Sequence, residues 1–255
     1  GNGYAVIRFL PAPDGETVPW AKVYSHAFQG PGGWYIENSR TTLGEKDPVG
    51  EVNRQHWNAG TEEGKDIARR QKRKLSYYSN IQVIKDPKHP ENEGKVFLYK
   101  YGKKIHDKIL AAMQPEFQDE TPVNVFDLWE GANFKLKIKK VAGFWNYDSS
   151  EFDSVAAISS DDNELEALYN KEHSLEAFTS KSEFKSYDDL QRRLNLVLGT
   201  PAPRVTTVDD EEYEPVAAPT SSFREKVAAK PSPVKEESIV EDDDALSYFR
   251  QLAEE

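Results

Sequence analysis

Cysteine is absent from this chain, which removes disulfides, thiol nucleophiles and thiolate metal sites together, although it does not by itself fix a compartment. No stretch is apolar and long enough to span a membrane as a helix, and no N-terminal signal segment is visible, so a soluble, intracellular protein is expected. Histidine is sparse, and His26, His56, His89, His106 and His173 show no metal-ligand spacing. Positive charge is also in deficit, with 33 Lys and Arg against 44 Asp and Glu over 255 residues, a net charge of -11. Any local concentration of cations therefore calls for a local explanation.

Such a concentration exists. Residues 65–108 hold thirteen Lys/Arg and five Asp/Glu. The stretch KRKLSYYSNIQVIKDPKHPENEGKVFLYKYGKKIHDKI, residues 72–109, interleaves these cations with aromatics. Lysine and arginine neutralise phosphates and release counterions, and tyrosine and phenylalanine offer faces on which unpaired bases stack, so the pattern points to single-stranded nucleic acid. The ordinary alternative is a solvated charged surface over an aromatic core. Residues 94–101 read as a strand with Phe97, Tyr99 and Tyr101 on one face and Val96 and Leu98 on the other. If Val96 and Leu98 point inward, the aromatic face is an external platform bordered by Lys95, Lys100, Lys103 and Lys104, which Tyr77 and Tyr78 extend. In residues 133–141, Phe134, Leu136 and Ile138 alternate with Lys135, Lys137 and Lys139, a half-buried strand carrying a lysine row. Alternate residues on a strand lie about 6.6 Å apart, a spacing suited to an extended phosphate backbone and equally ordinary on a solvated sheet face.

Charge and aromatics are unevenly spread. Residues 1–150 hold 22 cations, 19 anions and all five tryptophans, whereas residues 151–255 hold 11 cations and 25 anions. Residues 4–10, 20–28, 33–37 and 81–84 read as short strands, 38–70 as a polar insertion of little periodicity, and 104–113 as an amphipathic helix. These features predict a mainly β fold with added helices: an OB-like barrel over residues 1–157 and a helical extension over 158–199. Leu165, Leu168 and Tyr169 mark one helix of that extension; Tyr187, Leu190, Leu194, Val197 and Leu198 mark a stronger one. Residues 200–255, with six cations and fourteen anions, have too little apolar content to fold alone and are expected to be mostly disordered. Within them Leu246, Phe249 and Leu252 can line one face of a short partner-docking helix.

No catalytic residue stands out. Asp86, Glu91 and Glu93 lie in one Pro/Gly-containing loop with no second cluster to complete a metal-dependent nuclease. A non-enzymatic binding protein is expected, the alternatives being an acidic protein-interaction scaffold or a binder of single-stranded RNA.

The long stretch quoted above, followed by ETPVNVFDLWEGANFKLKIKKVAGFWNYDSSEF and preceded by GNGYAVIRFLP and GGWYIEN, resembles the single-stranded DNA-binding, helix-destabilising proteins of T-even-type bacteriophages. The resemblance covers most of residues 1–155. It implies an OB-fold core that coats single-stranded DNA without sequence preference during replication, recombination and repair in the cytoplasm of the infected bacterium. Matching positions carry Arg73, Lys74, Tyr77, Tyr99, Lys103, Lys104, Phe144 and Tyr147 into the implied DNA cleft; Tyr78 stands where the family often has tryptophan. Lys100, Tyr101, Lys135, Lys137 and Lys139 join them from the strand pattern. The acidic tail would recruit phage replication and recombination proteins and compete with DNA for the cleft.

Three departures qualify these expectations. Better-known members bind a structural zinc through one histidine and three cysteines in the insertion after GGWYIEN; here Ser39 and Val49 occupy expected ligand positions and the nearest histidine is His56. No zinc or other cofactor is therefore expected, and Trp57 is a candidate anchor for the insertion. The family's basic N-terminal arm has no counterpart before GNGYAVIRFLP, which weakens the expectation of self-association along DNA. The internal copy of the arm's motif reads KRKLS, with Leu75 at a Ser/Thr position, so no subunit-docking role is assigned to it.

Overall fold

The computed structural model describes residues 2–200. The N-terminal half supplies β1 (Gly3–Phe9), β2 (Ala21–Gly30), β3 (Gly33–Asn38), two helices α1 (Pro48–Asn58) and α2 (Glu62–Gln71), β4 (Lys74–Lys85), β5 (Val96–Tyr101) and α3 (Lys103–Met113). There follow β6 (Ala132–Val141), β7 (Phe144–Asn146), β8 (Glu151–Val155), α4 (Asp162–Tyr169) and α5 (Tyr187–Leu198).

All pairings in the eight-stranded sheet are antiparallel, in the order β3-β2-β4-β1-β6-β7, with β5 added on β4 and β8 on β6. The expected OB-like barrel is thus corrected to a mixed α/β fold whose sheet is not closed. Closure requires the two ends of the path to pair. Among the described residues, β3 at one end pairs only with β2 and is packed by α5, and at the other end β7 has three residues and pairs only with β6. The 12-residue β4 forms the spine, since its first half pairs with β2, its second half with β1, and β5 runs along its middle.

One face of this curved sheet carries the main core. Ile7 and Phe9 of β1, Tyr77, Ile81 and Val83 of β4, Tyr101 of β5 and Phe134 and Leu136 of β6 pack there against Ile105 and Ile109 of α3 and against Val125 and Phe126. The alternation expected of β6 is realised: Phe134 and Leu136 are buried while Lys135 and Lys137 are half-buried on the opposite face. The opposite face of β2, β4 and β5 is covered by the segment after α4. Asn80 clamps it by donating to the His173 carbonyl and accepting from the His173 amide, both at 2.8 Å, and Phe178 stacks on Tyr78 at 4.2 Å.

Residues 38–70 are more ordered than their polar composition suggests. Asp47 caps α1 by accepting from the amides of Val49 and Gly50, Pro48 fills its first turn, and Thr61 caps α2 through the Gly64 amide. A second core holds the insertion down, with Val49 buried among Phe28, Tyr35, Leu190, Leu194 and Val197. Helix α5 is therefore the clamp between the insertion and the β2–β3 hairpin. The expected tail, including Leu246, Phe249 and Leu252, lies outside the described residues.

Candidate nucleic-acid interface

The antiparallel register sorts the cations and aromatics by face. Tyr77 lies opposite Lys22 of β2 and Tyr101 of β5, so even-numbered β2 residues and odd-numbered β4 and β5 residues share the inner face, the one that meets α3. Lys22, Tyr24, Arg73, Leu75, Tyr77, Tyr99 and Tyr101 belong to it. Lys74, Tyr78 and Lys100 belong to the other face, where the Lys100 ammonium sits 5.7 Å from the Tyr78 ring centre.

On the inner face a cationic and aromatic track can be followed. The Arg73 guanidinium lies 4.0 Å from the ring centre of Tyr24, and Lys22 approaches the same ring at 5.4 Å. Next comes His106 of α3, stacked on Tyr77 and edge-on to Trp20. Burial pushes the His106 imidazole down to about 4, opposed by the negative charge of Asp107 and assisted by the positive charges of Lys22 and Lys103. Lys103 pairs with Asp107 at 3.0 Å, and Lys104 pairs with Asp148, also at 3.0 Å, while Lys108 donates to the Asp148 carbonyl at 3.1 Å. Asp148 thus ties α3 to the loop after β7, and hydrogen bonds from Asn146 and Lys104 hold its carboxyl below the usual range. Tyr147, next in sequence, packs against the main core together with Tyr99.

Helix α3 adds to this field. Its first turn carries Lys103 and Lys104 and no acidic residue, and its cap, Gly102, makes no side-chain hydrogen bond. The positive end of the helix dipole and two lysines are therefore gathered at the same end of α3, an arrangement that favours an anion.

The aromatics differ in what they can offer. Tyr101 is 4% exposed and Tyr77 is also buried, so both act as the floor of the track. Burial pushes the hydroxyls of Tyr99 and Tyr101 well above the ordinary tyrosine range, keeping them neutral. Tyr99 is half-buried and Tyr147 likewise, so parts of their rings reach solvent. The aromatic side of β5 is therefore turned mainly to the core, and Val96, on the opposite side, packs against a third cluster built on Leu10, Leu128, Leu165 and Leu168.

The lysine row of β6 lies on the outer face, against β8. Lys135 pairs with Asp153 at 3.0 Å and Lys137 with Glu151 at 2.6 Å, leaving Lys139 exposed near the hairpin tip. Phe144 is 78% exposed in β7, opposite Val141. Sequence reasoning missed Lys22 and Tyr24, which the β2–β4 register brings beside Arg73 and Tyr77, and Trp145 with Lys140, which pair directly across the β6–β7 hairpin. Their alternation within short strands was the only available signal.

The zinc ligand set of better-known relatives does not fit this chain. Val49 offers no donor atom. The histidine beside Ser39 is His26 rather than His56: His26 Nε2 lies 3.3 Å from Asp47 Oδ1, and its Nδ1 is 3.0 Å from the Gln71 carbonyl. Ser39 Oγ donates to Asp47 Oδ2 at 3.0 Å, and the Arg40 amide donates to the same oxygen at 3.0 Å. His26, Ser39 and Asp47 are all buried, so a closed hydrogen-bonded node occupies this position. Among the described residues no group of three or more His, Cys, Asp or Glu side chains is arranged to hold a metal ion. Among the same residues no helix is long and apolar enough to cross a membrane.

Comparison with known proteins accords with the track's chemistry. Residues 1–198 match the model of the family described as gp32 DNA binding protein like. The chain is 46% identical over 209 residues to the single-stranded DNA-binding protein of Enterobacteria phage T2, covering 79% of this chain and 68% of that protein. It is 45% identical over 207 residues to the protein of the same description from Enterobacteria phage T4, covering 78% and 67% respectively. The resemblance to the T-even phage proteins is thereby borne out over most of the chain, and this protein belongs to the gp32 DNA binding protein like family.

Proposed function

We propose that this protein binds single-stranded DNA without sequence preference, as a non-enzymatic protein of phage DNA replication, recombination and repair, and that the strand follows the inner-face track. The observation that carries this reading is the series of cations from Arg73 beside Tyr24 through Lys22 to Lys103, Lys104 and the β7 end, laid over an aromatic floor. Ammonium and guanidinium groups replace the counterions of the phosphates, and the partly exposed rings of Tyr24, Tyr99 and Tyr147 take up unstacked bases. None of these contacts reads a base edge, so the mode is tolerant of sequence. A duplex buries its base faces, so binding favours the single strand and lowers duplex stability by mass action.

Lys74, Tyr78, Lys100, Lys135, Lys137, Lys139 and Phe144 fall outside this track. They form a peripheral set on the outer face of the sheet, away from α3. Residues 201–255 are strongly acidic, which supports a role in docking phage replication proteins and in competing with DNA for the track. The phage relatives support action in the cytoplasm of an infected bacterium.

Titration with oligo-dT and with a matched duplex at two salt concentrations, following tryptophan and tyrosine emission, tests the proposal. Quenching by the single strand alone, weakened steeply by salt, is the expected result. Equal binding of the duplex, or no binding at low salt, overturns it, and the latter favours an interaction scaffold.

A further inference from the structure

Trp145 is 53% exposed, yet it is held in a defined place. The β6–β7 hairpin turns through Ala142 and Gly143, both at positive φ (49° and 85°), which is the backbone of a tight two-residue turn. That turn sets Lys140 directly opposite Trp145, and the Lys140 ammonium lies 5.0 Å from the indole ring centre. Along β6, Lys140 continues the inner-face series of Phe134, Leu136 and Ile138, so the Lys140–Trp145 pair faces the core side and Val141–Phe144 the other. Two positions beyond Trp145 stands Tyr147, and one further is Asp148, the partner of Lys104. The indole therefore stands at the downstream end of the cationic track.

About half of the Trp145 surface stays in water, more than burial alone would leave on a large aromatic ring, and the Lys140 ammonium lies over that ring. The cation holds the ring, and the exposed part of the indole is available to a ligand. We propose that Trp145 is a base-stacking residue of this protein: a nucleobase of the bound single strand stacks on the exposed part of the indole, and Lys140 holds the ring and supplies charge for the adjoining phosphate. The inference rests on the inner-face reading of the interface.

Trp34 provides a matched control, because it is also 53% exposed but belongs to β3 at the far end of the sheet path. The full chain is titrated with oligo-dT, reading affinity by competition and quenching by tryptophan emission, for wild type, Trp145→Ala, Trp145→Phe and Trp34→Phe. Trp145→Ala is expected to bind roughly tenfold or more weakly. Trp145→Phe is expected to recover most of the affinity while losing a share of the quenching that Trp34→Phe retains. A wild type that binds the single strand, with a Trp145→Ala variant of equal affinity and unaltered quenching in Trp145→Phe, overturns the stacking role alone. A wild type that does not bind overturns it together with the interface.

Discussion

The imidazole of His106 lies flat on the phenol ring of Tyr77, with ring centres 3.7 Å apart and planes within 7°. This stack joins α3 to the spine strand β4 and continues through Tyr101, 5.7 Å from Tyr77, to Tyr99, a further 5.6 Å along. The lysines of α3 are thus mounted on a rigid aromatic column, and the geometry of the track depends on a histidine that stays neutral.

Acid should loosen that column. Burial pushes His106 down to about 4 from an ordinary 6.5, so the unfolded chain binds this proton more readily than the native one. Its contribution to stability is complete above pH 6.5 and is lost as the pH falls toward 4, at up to about 1.4 kcal/mol per pH unit. Urea unfolding between pH 4 and 7 should show a smaller decline in His106→Phe, which keeps a ring on Tyr77 and cannot titrate; identical slopes would remove His106 as the cause.

The insertion should depend on Asp47 rather than on a metal. Burial pushes the Asp47 carboxyl up, but hydrogen bonds from His26, the Arg40 amide and Ser39 outweigh it and hold the group below its usual range. Asp47→Ala removes the α1 cap and leaves Ser39 and His26 without their common partner, a loss of about 3 to 5 kcal/mol. Chelator is expected to leave the thermal midpoint of the wild type unchanged; a lowered midpoint would show that a metal ion holds this region.

Glu172, just after α4, gives the opposite pH dependence. Burial and the neighbouring Glu16 push its carboxyl up to about 8, and neither of its oxygens has a hydrogen-bond partner among the described residues. A carboxyl raised in the folded state contributes stability that is complete below about 4.5 and is lost as the pH rises through about 8. Glu172→Gln should therefore gain on the wild type progressively over that interval, by up to about 1.4 kcal/mol per pH unit. Parallel stability curves for the two proteins would contradict it.

How far the fold could be read from the sequence depended on where each element is held. Strand β6 was legible because one face is core and the other solvent, so Phe134 and Leu136 alternate with Lys135 and Lys137. Helix α5 was legible for the corresponding reason, with Leu190, Leu194 and Val197 buried along one stripe. In β5 the same period of two could not say which face is inside; Tyr101 and Tyr99 meet the column on α3, a partner remote from the strand pattern. The helices of residues 38–70 were missed because few apolar residues mark them, and their support comes from the Asp47 and Thr61 caps and from α5, far along the chain. Barrel closure was expected from the short strands as well as from the resemblance, whereas the ends of the sheet are decided by what β3 and β7 pair with. The cations were visible as a cluster, but only the register separates Lys22 and Arg73 on the inner face from Lys74 and Lys100 on the other.

The salt dependence of oligo-dT binding in two double variants tests the central claim most directly. Each phosphate neutralised on a single strand contributes about 0.7 to the slope of log affinity against log salt. Lys103→Ala with Lys104→Ala should flatten the slope by about 1.4, while Lys135→Ala with Lys137→Ala, on the outer face away from α3, should leave it nearly unchanged. The reverse ranking would place the strand on the β6–β8 face and contradict the inner-face track.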